Sequence, residues 1–295
     1  MLGFVNLFKP PGVTSTQFGA RLRWIYGESN AREGNEGKLP IGHVGTLDPQ
    51  ACGVLPVALG RATRLIPLIA DRRKVYVFTL VLGSATSTGD AEGNAVETAP
   101  VPIGARVHLE RSLDSFIGRR EQIPPMYSAV KVDGQRLYRL ARSGRSVERK
   151  PRPITIYSLA ILGEEPPQTF RMRVACSEGT YVRTLAEDLA REIGTVGHVG
   201  ALLREAAGPF VLSESLTLDE VAADPRAAII PPERVIAIPT IVLDGRGSAD
   251  FRAGRVVAMP QPVGGTHVFV RDFARTLVGV GELHGTMLAP RKVFV

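Results

Sequence analysis

The nine residues Lys74–Leu82 constrain the fold more than any other stretch. Val75, Val77, Thr79 and Val81 alternate there with Tyr76, Phe78, Leu80 and Leu82. Successive side chains of a strand point to opposite faces, so this one is apolar on both. Such a strand belongs in the interior of a sheet covered on both sides. Candidate covering helices are present. Thr14 and Gln17 have capping-box spacing ahead of Phe18, Leu22 and Ile25, and residues 107–117 also read as helical. Phe170, Met172, Val174 and Cys176 alternate with Arg171, Arg173 and Ala175, the pattern of a half-buried strand, while residues 27–40 are polar and Gly-rich and read as a loop. At 295 residues the chain exceeds the usual ~100–200 of one domain. Residues 225–240, rich in Pro, Ala and Ile, read as the passage into a second unit, whose short strands 267–270 and 277–280 lie between Gly-rich turns. Gly279-Val280-Gly281 lacks the third Gly and the following helix of a dinucleotide-binding turn and is read as a simple turn.

Charge narrows the partner. The net charge is +7 with a pI near 9.7, which suits a polyanion because each cation placed on a phosphate releases a counterion. Residues 119–152 hold ten basic residues against three acidic ones, an excess equal to that of the whole chain. Met126, Tyr127, Leu137, Tyr138 and Leu140 are interleaved with them, and that mixture tilts the reading from a merely solvated face toward a nucleic-acid surface. A membrane-surface reading fails for want of a long basic amphipathic helix. No signal peptide and no apolar run of about 20 residues is visible. Cys52 and Cys176 lie far apart, as in a reducing compartment, and the five histidines show no ligand spacing. A cytoplasmic protein without a metal, and nothing beyond a monomer, is the expectation.

After Gly179-Thr180 the positions Val182, Leu185, Ala186, Leu189 and Ile193 recur at helical spacing, with Thr180 as the expected N-cap and Gly194 as the stop. Arg183 falls in the first turn, where the helix dipole disfavours a cation by a few tenths of a kcal/mol. It therefore needs an anionic partner, a carboxylate or a phosphate. No nucleophile elbow and no phosphate-binding Gly-rich loop is present, which takes support from hydrolase and nucleotidase readings.

The segment Gly45-Thr46-Leu47-Asp48-Pro49, taken alone, is a turn. Within residues 43–56 it closely resembles the catalytic motif of the bacterial TruB family, whose members make pseudouridine 55 in the TΨC arm of tRNA. Five further segments are similar to family motifs in family order over about residues 3–210. Lys9-Pro10-Pro11-Gly12 resembles the N-terminal Lys-Pro-x-Gly motif, and Arg73-Lys74-Val75-Tyr76 the tyrosine strand. Residues 124–131 and 176–184 resemble two more, and Gly197-His198-Val199 through Leu202-Leu203-Arg204 the last. Phe8 and Ser87 stand where the family is often acidic, and the loop at 27–40 is longer than usual.

That resemblance implies an α+β fold: a mixed, mainly antiparallel sheet flanked by helices over residues 1–235, a basic thumb inserted at about 119–152, and a small β-rich PUA-like unit at 236–295. It implies Asp48 as the nucleophile, attacking C6 of the uracil or C1′ of the ribose without any cofactor, with Arg183 as the partner that orients it and lowers its pKa. It puts Tyr76 against the flipped base, where it would take the C5 proton, His43 on the rearranged loop, and Tyr181 and Leu202 in the uridine pocket. RNA contacts fall to Lys9, Asp90, Lys131, Arg136, Arg139, Arg142, Arg145, Arg149 and Lys150. The competing readings are a synthase acting on another RNA, including the guide-RNA-dependent type, and a non-catalytic tRNA-folding chaperone.

Overall fold

The structure is a computed structural model that describes residues 1–32, 39–128, 130–132, 134–145, 147–165, 168–260 and 264–294; for 28–32, 131, 136, 138 and 142 only the backbone is described. The chain opens with β1 (Leu2–Lys9), followed by α1 (Ser15–Arg32), whose N-terminus carries the reciprocal Thr14–Gln17 capping box. The helix runs on to Arg32, six residues into the stretch expected to be loop. Polar residues without proline do not stop a helix; residues 33–38 of the expected loop lie outside the described residues.

β2 (Ile41–His43) leads through the Asp48 loop into β3 (Cys52–Gly60), a short 3₁₀ helix (Arg61–Leu68) and β4 (Lys74–Leu82). A small hairpin, β5 (Ser84–Thr86) with β6 (Ala95–Thr98), and α2 (Ala105–Phe116) come next, then β7 (Gly118–Gln122). The excursion that follows holds β8 (Lys131–Val132), β9 (Gln135–Arg136) and α3 (Leu137–Arg142). β10 (Arg152–Glu165), β11 (Thr169–Cys176), α4 (Val182–Glu192), β12 (Gly197–Ala207) and β13 (Phe210–Val211) complete the large sheet.

Its order is β1-β3-β12-β4-β11-β10-β7, with β2 on β3 and β13 on β12; among the described residues only its β3–β12 strand pairing is parallel. β4 is central, as its composition requires, but its cover is one-sided. Tyr76, Phe78, Leu80 and Leu82 are buried with Phe18, Leu22, Leu109, Phe116, Leu185 and Leu189 from α1, α2 and α4. Val75, Val77, Thr79 and Val81 are half-buried only. β-branched residues pack well against in-sheet neighbours without a covering layer, which is why composition overstated the second face. Over β1 and β3 that second face is closed. Phe4, Val54 and Ala58 join Ala62 and Leu65 of the 3₁₀ helix and Phe269, Val280 and Phe294 of the C-terminal unit in one core cluster.

Short helices α5 (Leu218–Ala223) and α6 (Pro232–Val235) lead to the C-terminal sheet of β14 (Thr240–Val242), β15 (Val257–Ala258), β16 (His267–Arg271), β17 (Leu277–His284) and β18 (Met287–Val293), with α7 (Gly245–Arg252). This curled, PUA-like sheet has the order β14-β16-β17-β18-β15. Gly279-Val280-Gly281, expected as a turn, lies inside β17. A Cβ at Gly279 would stand 2.7 Å from the Phe251 ring and one at Gly281 3.2 Å from it, so the glycines make room for an aromatic core residue. No described helix is long and apolar enough to cross a membrane.

Candidate active site

One cleft of about 870 Å³ opens between the Asp48 loop, the start of β4, the turn after β5, the root of the basic excursion and the start of α4. Its floor is the loop 45–49, and the rest of the protein holds that loop at nearly every residue. Arg204 on β12 donates to the carbonyls of Gly45 and Thr46, both at 3.1 Å, and of Val54 at 2.7 Å. The Ser15 hydroxyl accepts from the Leu47 amide at 2.8 Å and donates to the Leu47 carbonyl at 2.9 Å. Lys9 donates to Pro49 at 2.9 Å and to Pro10 and Val13 at 2.8 Å each. Gly45 adopts a φ of +86°, a left-handed conformation that glycine reaches at no steric cost.

Asp48 leaves its side chain to the cleft. Its carboxylate is 38% exposed and meets Arg183 Nη2 at 3.0 Å. Arg183 itself is buried. It also donates to the carbonyls of Thr88 and Tyr127 at 2.8 Å each and lies 3.6 Å from Asp90. One guanidinium thus ties the loop to the turn after β5 and to the root of the excursion, and two carboxylates answer the cation in the first turn of α4. Tyr181, not Thr180, occupies the N-cap, and no side chain caps the helix; the Tyr181 amide and carbonyl instead pair with the Gln122 side chain.

Arg183 lowers the Asp48 pKa as expected, but burial outweighs it. Burial pushes the Asp48 carboxyl above the ordinary carboxylate range; Arg183 opposes that shift and Asp90 adds to it. Arginine therefore limits the rise instead of producing a net fall. Tyr76, on the same cleft-facing side of β4, is buried, and desolvation likewise pushes its phenol up, partly offset by Arg204. Burial also raises the Tyr181 phenol and lowers the His43 imidazole, favouring the neutral form of each.

The structure brings Asp48, Tyr76, Tyr181, Arg183 and Leu202 to the cleft wall, while His43 ends β2 just outside it, next to the lining residue Val44. Two residues expected to touch RNA are turned inward. Lys9 is fully buried with its three donors used on carbonyls, and Asp90 is 3% exposed with its carboxylate bound to Thr88 and the Glu92 amide. Spent hydrogen-bonding groups at such depth leave nothing for a phosphate, so both act on the protein's own loops. Sequence reasoning missed Ser15, Lys74 and Arg204. The partners of Ser15 and Arg204 are backbone groups, which carry no sequence signature.

The basic excursion is narrower than its composition suggests. Arg119 and Arg120 pair on β7 with Thr155 and Ile154 of β10, and Arg152 opens β10, so the insertion proper runs from 123 to 151. Leu137 and Leu140 anchor it, and Arg149 donates to the Pro124 carbonyl at 3.0 Å. Arg139, Arg145 and Lys150 are exposed; the side chains of Lys131, Arg136 and Arg142 lie outside the described residues.

Residues 35–182 match the family model described as TruB family pseudouridylate synthase, N terminal domain. The chain is 36% identical to "tRNA pseudouridine synthase B" of Caldanaerobacter subterraneus, with 99% of each chain covered. It is 44% identical to the protein of that name in Heliobacterium modesticaldum, covering 99% of this chain and 95% of the relative. Among solved structures, a Cbf5–Nop10–Gar1 complex aligns with a TM-score of 0.68 at 26% identity, over 99% of this chain and 85% of its counterpart. An H/ACA RNP bound to a substrate RNA aligns at 0.66 and 24% identity, over 99% and 85%, a likeness of fold.

Proposed function

This chain belongs to the TruB family of pseudouridylate synthases, and from that premise we propose that it isomerises uridine 55 in the TΨC arm of tRNA, with Asp48 as the nucleophile. The observation that carries the reading is the Asp48 carboxylate standing half-exposed on the cleft floor, 3.0 Å from a buried arginine. Arg183 orients it, and the clamped backbone on either side keeps it from turning away, so approach to an electrophile costs little further ordering.

The uridine must leave its stem-loop stack to reach this floor, at a cost of a few kcal/mol. Attack by a carboxylate oxygen on C6 of the base or C1′ of the ribose loosens the C1′–N1 bond. The base rotates, C5 bonds to C1′, the carboxylate is displaced from C1′ or eliminated from C6, the C5 proton departs and N1 takes one up. Atoms and electrons balance without an oxidant or a cofactor. Tyr76 and Leu202 form the wall against which the base turns. Because burial raises the Tyr76 phenol, the ring serves that wall as a neutral group, and proton removal from C5 by its oxygen is disfavoured. Arg139, Arg145 and Lys150 on the insertion supply phosphate contacts to the RNA stem-loop, for which their exposure fits them.

The test is release of tritium from unmodified tRNA labelled at C5 of uridine. Wild type is expected to release it from uridine 55 and Asp48→Asn to release none. Equal release from the two proteins, or none from either, overturns the assignment; normal tRNA binding by a wild type without release would favour a chaperone.

A further inference from the structure

Lys74 is a buried ammonium with no hydrogen bond and no ion pair among the described residues. It is 7% exposed, pairs through its backbone with Cys176 and Ala207, and lines the cleft beside Tyr76. A Cβ at Gly45 would stand 3.8 Å from its Nζ and 3.7 Å from Arg204 Nη1, so two cations share the space beneath the Gly45 end of the loop. Arg204 spends three of its donors on carbonyls, whereas Lys74 Nζ makes no hydrogen bond among the described residues.

The surrounding charges do not compensate it. The nearby carboxylates are Glu178 and Asp71, and each is already paired, with Arg72 at 3.0 Å and with Arg73 at 2.8 Å. The Cys176 thiol, pushed up to about 11 by burial, stays neutral, and so does the Tyr76 phenol. Burial together with Arg204 lowers Lys74 to about 8, which leaves it mostly charged at neutral pH. A charged group buried without a partner is costly, and sites that violate the usual pairing rule tend to be ones that a ligand completes.

We propose that Lys74 binds a backbone phosphate of the substrate RNA at the Gly45 end of the cleft, opposite in the loop to the Asp48–Arg183 pair. Its three ammonium donors and the electropositive ground of Arg204 suit a single phosphodiester, and the strand that carries Lys74 also carries the Tyr76 wall. One contact would fix the register of the extruded nucleotide between the two. The proposal rests on RNA as the substrate.

Lys74→Met preserves length and removes the charge. Measured on unmodified tRNA, it is expected to raise KM and Kd about tenfold, as loss of one charge-assisted hydrogen bond does, with kcat within about threefold of wild type. The slope of log Kd against log salt should shrink by about one, and the thermal midpoint should hold or rise. Lys74→Arg should keep the wild-type slope. If Lys74→Met fails to fold, Lys74→Gln carries the same slope prediction. An unchanged Kd and slope overturns the proposal, as does a fall in kcat with KM and slope unchanged, which would put Lys74 on the reacting base. Binding measured in an Asp48→Asn background needs no turnover, so the slope tests Lys74 whether or not wild type releases tritium from uridine 55.

Discussion

The two ends of the loop 45–49 are each held by a buried arginine, and the two arginines are satisfied differently. At the Asp48 end, Arg183 faces two carboxylates and two carbonyls. At the Gly45 end, Arg204 faces three carbonyls and, among the described residues, no carboxylate. The first arrangement compensates charge and so sets the ionisation of its partner; the second spends a charge to fix backbone shape. A rigid loop presenting a carboxylate needs both, because the desolvation that excludes water from the cleft also penalises the anion at its centre.

The largest expected effect comes from removing the compensating cation. Arg183→Met strands the buried Asp90 carboxylate, so unfolding stability should fall by about 3–5 kcal/mol, and the tritium-release rate should drop by about 10²–10³ or more. Arg204→Met, of similar volume, should slow release by about 10² through loss of loop order while leaving the acidic limb of the pH–rate profile in place. Should both substitutions move that limb equally, the division of labour between the arginines is wrong.

The limb itself comes next. As the proposed nucleophile, Asp48 has to be ionised, and burial raises its pKa, so kcat/KM should decline as pH falls through a value above the ordinary carboxylate of about 3.9. Asp90→Asn removes a neighbouring negative charge and should move the limb down; an upward move would mean that Asp90 acts on Asp48 through Arg183 geometry alone. The stability sign follows from the same shift. A carboxyl whose folded pKa is raised binds its proton more tightly when folded, so its ionisation costs stability as pH rises from the unfolded value through the folded one. At neutral pH Asp48→Asn should therefore be at least as stable as wild type in urea unfolding, with the difference closing below about pH 4.

The smallest effect belongs to Ser15. Ser15→Ala leaves the Leu47 amide and carbonyl unpaired in the core and should cost about 1–3 kcal/mol of stability, with a few-fold loss in rate. An unaltered urea midpoint would show that the loop is held without it.

Much of this architecture can be read from the chain. The period-two run of Lys74–Leu82 marks the central strand because strand periodicity is local, and the Thr14–Gln17 box marks the start of α1 for the same reason. Motif order from Lys9-Pro10 to Arg204 brings Asp48, Tyr76 and Arg183 into one family pattern, and the misplaced cation in the first turn of α4 asks independently for an anion. Their neighbourhood is what local patterns leave out. Lys9 and Asp90 look like RNA contacts until their donors and acceptors are found spent inside the protein.

What the amino-acid sequence by itself determines is the repertoire: the interior strand, the capped start of α1, the family and the side chains that its motifs single out, all carried by short-range order. Only the tertiary structure decides how those groups are tuned. Arg204 reaches Gly45 across 159 positions and Arg183 reaches Thr88 across 95, and both find backbone carbonyls that any residue could supply. Desolvation depends on everything packed around a group at once, which is why the direction of the Asp48 shift could not be read from its arginine partner alone.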